Sequence, residues 1–456
     1  MLAFLNCLVL RLLVEITHHQ SQWRKRFAVK QSKSPQKSKA SLTILIFVTL
    51  CIGIVSGLAG MFLALLLHYI QHVAYGYTHT LQHPENFLEG VTAASGQRRI
   101  FVLTLCGFLA GFGWWTIYRY GKPLVSIAKA IKSDKPMMPM VTTSLNALLQ
   151  IITVALGSPL GREVAPREIG AAFACWLVDR TGLSVKESQI MVACGAGAGL
   201  AAVYNVPLGG TVFTLEVLLC SLSWSAVIPA LCTSSVATAI SWIGLGNEPQ
   251  YLLPNYPLSL SLITWSIIVG PLFGVAAFWF HQITAAARRI APRDGRVLIL
   301  CILNFIIIGI LAIYFPQLLG NGKGPIQLGF TDNLGLDLAL RLLILRVIIV
   351  WSSLQAGAQG GLLTPSLANG VLMAIVLGSL WSLIWPGTHS GAFAVIGAAA
   401  FLAAAQKMPI TAIVLTAEFT GINFNFLVPI LFAVTGSVST FSFYANRQYK
   451  KSKLLA

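Results

Sequence analysis

The chain has 456 residues, of which 56% are hydrophobic and only 10% are charged, where a soluble domain carries roughly 25% charged residues. With a mean hydropathy of +0.77, that balance excludes a soluble globular protein and makes the lipid bilayer its solvent. The net charge of +17 gathers at the two ends and in a few loops, not on a folded basic face, so no nucleic-acid partner is expected.

Residues 1–40 form a basic segment, expected in the cytoplasm. Arg11, Arg24, Lys25, Arg26, Lys30, Lys33, Lys37 and Lys39 stand there against Glu15 alone. The apolar run Leu2 to Val14 is interrupted by Asn6 and Arg11, and no clean small-residue cleavage site follows it. It reads as an interfacial helix and not a signal peptide. SKSPQKSKAS is a flexible basic linker.

A membrane helix needs about 20 apolar residues. Candidate spans lie at 41–70, 100–118, 140–156, 186–203, 225–243, 259–280, 297–315, 336–352, 366–385, 391–404 and 425–444. Several are short or broken by Gly and Pro. Lipid-exposed backbone does not tolerate such breaks, but backbone lining a protein cavity does. The ten-residue alternation of a membrane barrel is not seen, so the predicted fold is all-α. Basic residues at both ends, at Arg119 to Lys135 and at Arg288 to Arg296 mark the cytoplasmic side. The polar stretches 75–97 and 244–257 are expected outside. With both termini in the cytoplasm of a multi-pass protein of the inner or plasma membrane, the number of crossings is even.

Two stretches read as copies. Gly195 to Glu216 is GAGAGLAAVYNVPLGGTVFTLE and Gly397 to Glu418 is GAAAFLAAAQKMPITAIVLTAE; ten of 22 ungapped positions are identical, Pro207/Pro409 and Glu216/Glu418 among them. Internal duplication in an apolar chain points to a transporter with its substrate at the interface between repeats. Two halves of odd crossing number would run in opposite senses. The expected organisation is 1–40, a first transmembrane repeat 41–243, a second 258–446 and a short basic tail 447–456.

The cysteines are scattered. Cys51, Cys106, Cys194, Cys220 and Cys301 sit in apolar runs, where Cys packs as a small hydrophobe. His68 and His72 share a helical face and read as a membrane-interface pair. Neither a metal nor a cofactor is expected.

Three breaks in apolar runs carry the chemistry: YRYGKP at 118–123, GSPLGREVAPRE at 157–168 and GGLLTP at 360–365. Each has a proline near a helix start, where the missing N–H is harmless. A helix beginning inside the membrane aims free N–H groups and a partial charge of roughly +0.5 at what precedes it. Converging ends of this kind hold an anion without a full cation and weakly enough to release it. Glu163 stands out, because a carboxylate in the membrane is costly unless paired or in a wet cavity. It can occupy the anion site itself and swing away when protonated or displaced. The bland alternative is an ion pair with Arg167, four residues on; Glu168 is the more natural structural partner.

These segments resemble the CLC family of chloride channels and proton-coupled chloride exchangers. GREVAP resembles its GREGP signature and GLLTP its GxFxP segment. YRYGKP stands where GSGIP is expected. NVPLGGTVFTLEV and KMPITAIVLTAEFT resemble NAPLAGxLFxxEE and APLTGIILxxEMT. All occur in family order over about residues 40–449. The resemblance implies a homodimer, each subunit an inverted repeat of broken and tilted transmembrane helices around its own pore. It implies a gate at Glu163 and anion contacts from Tyr120, Gly121, Arg162, Val164, Ala165, Leu363 and Thr364. Tyr120 replaces the family's anion-binding serine, and Leu363 replaces a phenylalanine that contributes its backbone N–H. The second pore tyrosine is assigned to Tyr449, with Tyr444 as the alternative. No cytoplasmic CBS domains are expected.

Family exchangers usually carry a Glu-Glu pair whose second member handles the proton. Here the pair is Glu216 and Val217, as in family channels. Channel-like chloride conduction is therefore expected, with proton-coupled exchange as the alternative through water or Glu216. Glu216 and its copy Glu418 also read as hydrogen-bonding posts at helix ends. A membrane-embedded enzyme using Glu163 or Glu168 as a base is the remote alternative; the chain is not expected to be an enzyme.

Overall fold

The computed structural model describes residues 41–76, 79–80, 83–84 and 87–454. The basic segment 1–40, with its expected interfacial helix and linker, lies outside the described residues. Seventeen α-helices follow among those described. The first half runs α1 (Leu42–Tyr75), α2 (Phe87–Ala93), α3 (Gly96–Tyr120), α4 (Ile127–Ile131), α5 (Met140–Ala155), α6 (Val164–Thr181), α7 (Val185–Tyr204), α8 (Pro207–Phe213) and α9 (Trp224–Leu245). The second runs α10 (Leu260–Ile290), α11 (Arg296–Tyr314), α12 (Lys323–Phe330), α13 (Leu336–Ala356), α14 (Leu363–Ser382), α15 (Ser390–Gln406), α16 (Pro409–Thr420) and α17 (Leu427–Leu454). A two-residue ladder, His79–Thr80 against His83–Pro84, interrupts the loop after α1. The all-helical expectation holds.

Among the described residues seven helices are long and apolar enough to cross a membrane: α1, α3, α9, α10, α11, α14 and the stretch Phe424–Lys450. The other predicted spans are helices that are shorter or less apolar. Two departures have clear causes. α6 was not among the predicted spans, because Arg167, Glu168, Asp179 and Arg180 mask it from a hydropathy reading. Residues 447–454, expected as a tail, continue α17 as helix.

Packing in the first half recurs in the second. α1 packs on α9, α1 and α9 both pack on α7, and α7 packs on α6. In the second half α10 packs on α17, both pack on α15, and α15 packs on α14. The halves meet where α3 lies along α11 and α8 touches α16. Local sequence explains the recurrence. α7 ends in left-handed Asn205 (φ 57) and α15 in left-handed Lys407 (φ 58), and each is followed two residues later by the proline that opens the next helix, Pro207 or Pro409. Nearly all of α7 from Ile190 and of α15 from Gly391 is buried. Their Gly- and Ala-rich sequences permit this, because small residues let helix backbones touch where lipid supplies no hydrophobic drive to associate. Gly170 closes on Gly195 in this way, and Gly370 on Gly397. At each glycine an added Cβ would run into its partner's carbonyl oxygen.

Candidate functional site

Glu163 is the residue just before α6, yet its side chain does not cap that helix. It reaches into the other half of the chain. Its Oε1 accepts the N–H of Leu363, the first residue of α14, at 2.7 Å. Two backbone bonds fasten the breaks together: Gly161 N–H donates to the Gly361 carbonyl and Gly361 N–H to that of Gly161, both at 2.8 Å. A Cβ on either would land on the Glu163 carboxylate, so this seat for it needs glycine at both places.

The second carboxylate oxygen accepts the Tyr204 hydroxyl at 3.3 Å. That hydroxyl also lies 2.9 Å from Thr364 Oγ1. Glu163, Thr364 and Tyr204 are 1%, 2% and 4% exposed. No ion pair among the described residues includes Glu163. A helix end and a neutral hydroxyl therefore meet its charge, as the dipole argument requires.

Charged neighbours stand one layer back. Arg162 donates to Gln250 Oε1 at 3.2 Å, and its guanidinium lies over the Tyr204 ring, 5.1 Å from the centroid. Arg167 lies over Phe213, 4.3 Å from the centroid, and forms no ion pair with Glu163. Glu168 accepts Asn146 Nδ2 at 3.0 Å and Gln150 Nε2 at 3.2 Å.

The structure thus brings Leu363 and Thr364 to Glu163, with Val164 and Ala165 opening α6 beside it. Arg162 reaches the group through Tyr204. The break at 118–123 contributes differently than expected. Tyr120 is 75% exposed at the end of α3, its ring against Trp115, and Gly121 is exposed beside it. Neither touches the buried carboxylate. Tyr118 reaches the second-half break instead, its hydroxyl accepting Gln359 Nε2 at 2.8 Å. Tyr449 is 45% exposed on the last turns of α17, which runs unbroken from Leu427 and so does not fold back to Glu163. Tyr444 packs on Phe278.

Two residues at the site were not picked out from sequence. Tyr204 is one of the twelve positions at which the two copies differ, standing against Gln406, and nothing in the sequence set it apart from the others. Both positions bear on the first turn of α14: Gln406 Nε2 donates to Ser366 Oγ at 3.0 Å and more weakly to the Leu362 carbonyl. Arg288 donates to the Gly360 carbonyl at 2.9 Å, next to the Gly161–Gly361 bridge; in the sequence it passed as an orienting charge.

Glu216 and Glu418 are spent on each other's helices. Glu418 accepts the N–H groups of Leu208 and Gly209 at 2.9 and 2.6 Å, at the start of α8. Glu216 accepts those of Ile410 and Thr411 at 3.0 and 2.7 Å, at the start of α16, and the Thr411 hydroxyl at 2.6 Å. Val217 packs partly buried against the apolar core. Among the described residues no group of three His, Cys, Asp or Glu side chains is placed to hold a metal ion.

Chemically, the site is an acceptor's pocket with a carboxylate already in it. An anion offered to the same donors competes with the carboxylate. A proton on the carboxylate cancels the charge that holds it there.

The chain is also similar to known proteins. The family model described as voltage gated chloride channel matches residues 106–442. The H(+)/Cl(-) exchange transporter ClcA of Vibrio cholerae serotype O1 (strain M66-2) is 25% identical over 418 residues, 88% of this chain and 87% of that protein. The transporter of that name from Cronobacter sakazakii is 26% identical over 448 residues, 93% of this chain and 91% of that one. Among solved structures, a slow cyanobacterial Cl-/H+ antiporter superposes with a TM-score of 0.74 at 19% identity, covering 90% of this chain and 99% of that one. A CLC-type fluoride/proton antiporter gives 0.62 at 20% identity, covering 88% and 95%. These two likenesses speak to fold.

Proposed function

The chain belongs to the voltage gated chloride channel (CLC) family, and from that premise we propose that it exchanges chloride, or a similar small anion, for protons, with Glu163 as the moving part. The observation that carries this reading is the Glu163 carboxylate seated on the Leu363 N–H and the Tyr204 hydroxyl. Anion and carboxylate draw on the same donors, so occupancy by one excludes the other. Protonation releases the carboxylate, and the released group carries its proton away as the anion enters. That competition is the elementary requirement for coupling two fluxes. The relatives named as H(+)/Cl(-) exchange transporters support it.

Passive, channel-like conduction, the expectation from sequence, becomes the second reading. Val217 favours it, since a valine side chain relays no proton. Liposomes holding the purified protein, loaded with chloride and followed for chloride and pH together, separate the two. Exchange drives protons against their gradient as chloride leaves; a channel releases chloride and moves no protons.

The anion path of this proposal includes the backbone at Val164, Ala165, Leu363 and Thr364, with Arg162 adding positive potential. Tyr120, Gly121 and Tyr449, all exposed, are not part of it. The working unit of the proposal is a homodimer in a plasma or inner membrane, with cytoplasmic termini and one pore per subunit.

A further inference from the structure

Resting on the reading of Glu163 as the gate, we propose that the Tyr204 hydroxyl, oriented by Thr364, is a direct ligand of the transported anion and sets its selectivity. The role assigned from sequence to the hydroxyl at Tyr120 passes to Tyr204.

Hydrogen-bond direction carries the argument. An ionised carboxylate only accepts, so the single Tyr204 hydroxyl proton goes to Glu163 Oε2. Its lone pairs are then left to accept the Thr364 hydroxyl at 2.9 Å. With the carboxylate seated, Thr364 therefore donates to Tyr204 and Tyr204 donates to Glu163. The ring cannot turn aside. Arg162 lies over its face and Phe419 packs edge-on with centroids 5.3 Å apart. When the carboxylate leaves, a nearly fully buried O–H is left aimed into the space it vacated. Buried donors without partners are costly, and an anion on the Leu363 N–H is the acceptor at hand. Two neutral donors then converge on the ion, one from the backbone and one from a side chain. Neutral donors suit transport, since they hold an anion and let it go. An O–H donor also discriminates: it favours compact anions that accept strong hydrogen bonds, such as chloride, over diffuse ones such as iodide.

Chloride and iodide binding to purified Glu163→Ala protein, measured by calorimetry, tests this with the carboxylate out of the way. Adding Tyr204→Phe is expected to weaken chloride binding about tenfold or more, as loss of one hydrogen bond to a charged partner does, and to weaken iodide binding much less. Adding Thr364→Val instead leaves Tyr204 in place but frees its hydroxyl to turn. A smaller loss in the same chloride-biased sense is expected. Equal weakening of both anions by Tyr204→Phe would mean a structural role and overturn the proposal. So would unchanged chloride binding in a folded Tyr204→Phe protein. Should Tyr204→Phe fail to fold, unchanged binding in Thr364→Val decides against it. No chloride binding to the Glu163→Ala protein itself would overturn the reading of Glu163, a separate failure.

Discussion

Gly361 and Gly161 decide whether the Glu163 carboxylate has a seat at all. Neither needs an unusual backbone angle; each needs the absence of a Cβ, because the carboxylate occupies that space. Gly361→Ala is therefore expected to push the carboxylate off the Leu363 N–H while leaving the donors in place. In liposomes, chloride flux should rise and the protons moved per chloride should fall. Wild-type coupling in that variant would mean that the carboxylate is seated elsewhere. At this scale the sequence was partly legible. Glu163, Leu363 and Thr364 followed from a carboxylate and a glycine-rich break in apolar runs. Tyr204 did not, because a tyrosine at a helix end is ordinary until its neighbours are known. Tyr120 misled in the opposite sense: a hydroxyl at the right place in a motif is exposed on the helix that carries it.

Between elements, the crossed glutamates are the clearest case of one half holding the other. Each carboxylate satisfies N–H groups that a helix start leaves without partners, but the helix belongs to the opposite half. Glu418→Ala is expected to cost about 1–3 kcal/mol, read as a lower melting temperature of the detergent-solubilised protein. Glu216→Ala should cost a similar amount, since it strips an equivalent end. A proton-relaying Glu216 would betray itself differently, with coupling lost at unchanged melting temperature. The glycine contacts belong to the same scale. Gly370→Ala forces a methyl onto the Gly397 carbonyl and should destabilise by about 1–3 kcal/mol; unchanged melting would mean that α14 and α15 are free to part. The copied sequence announced a repeat but not that its glutamates exchange partners. A carboxylate's choice between its own helix and a distant one is tertiary and leaves no trace in spacing. α6 escaped for a related reason: Arg167 and Glu168 face partners inside the protein, and hydropathy counts them as if they faced lipid.

For the whole molecule, recurring helix pairings and the Gly161–Gly361 bridge put the site where the halves meet, as an internal duplication leads one to expect. Fold class was thus legible from composition and from the lack of strand alternation, and the breaks and the repeat led to the site proposed here. Mode of transport was not, because in the proposed mechanism it depends on one moving carboxylate and the energies of its two states. Position 217 alone argued for conduction, whereas the geometry of Glu163 and the relatives argue for exchange. The most direct test replaces Glu163 with Gln, which keeps the shape and removes the titratable charge. In chloride-loaded liposomes with pH followed alongside, Glu163→Gln is expected to pass chloride while moving no protons, where the wild type pumps them. Proton pumping that survives Glu163→Gln would contradict the account, since coupling would then run through another group.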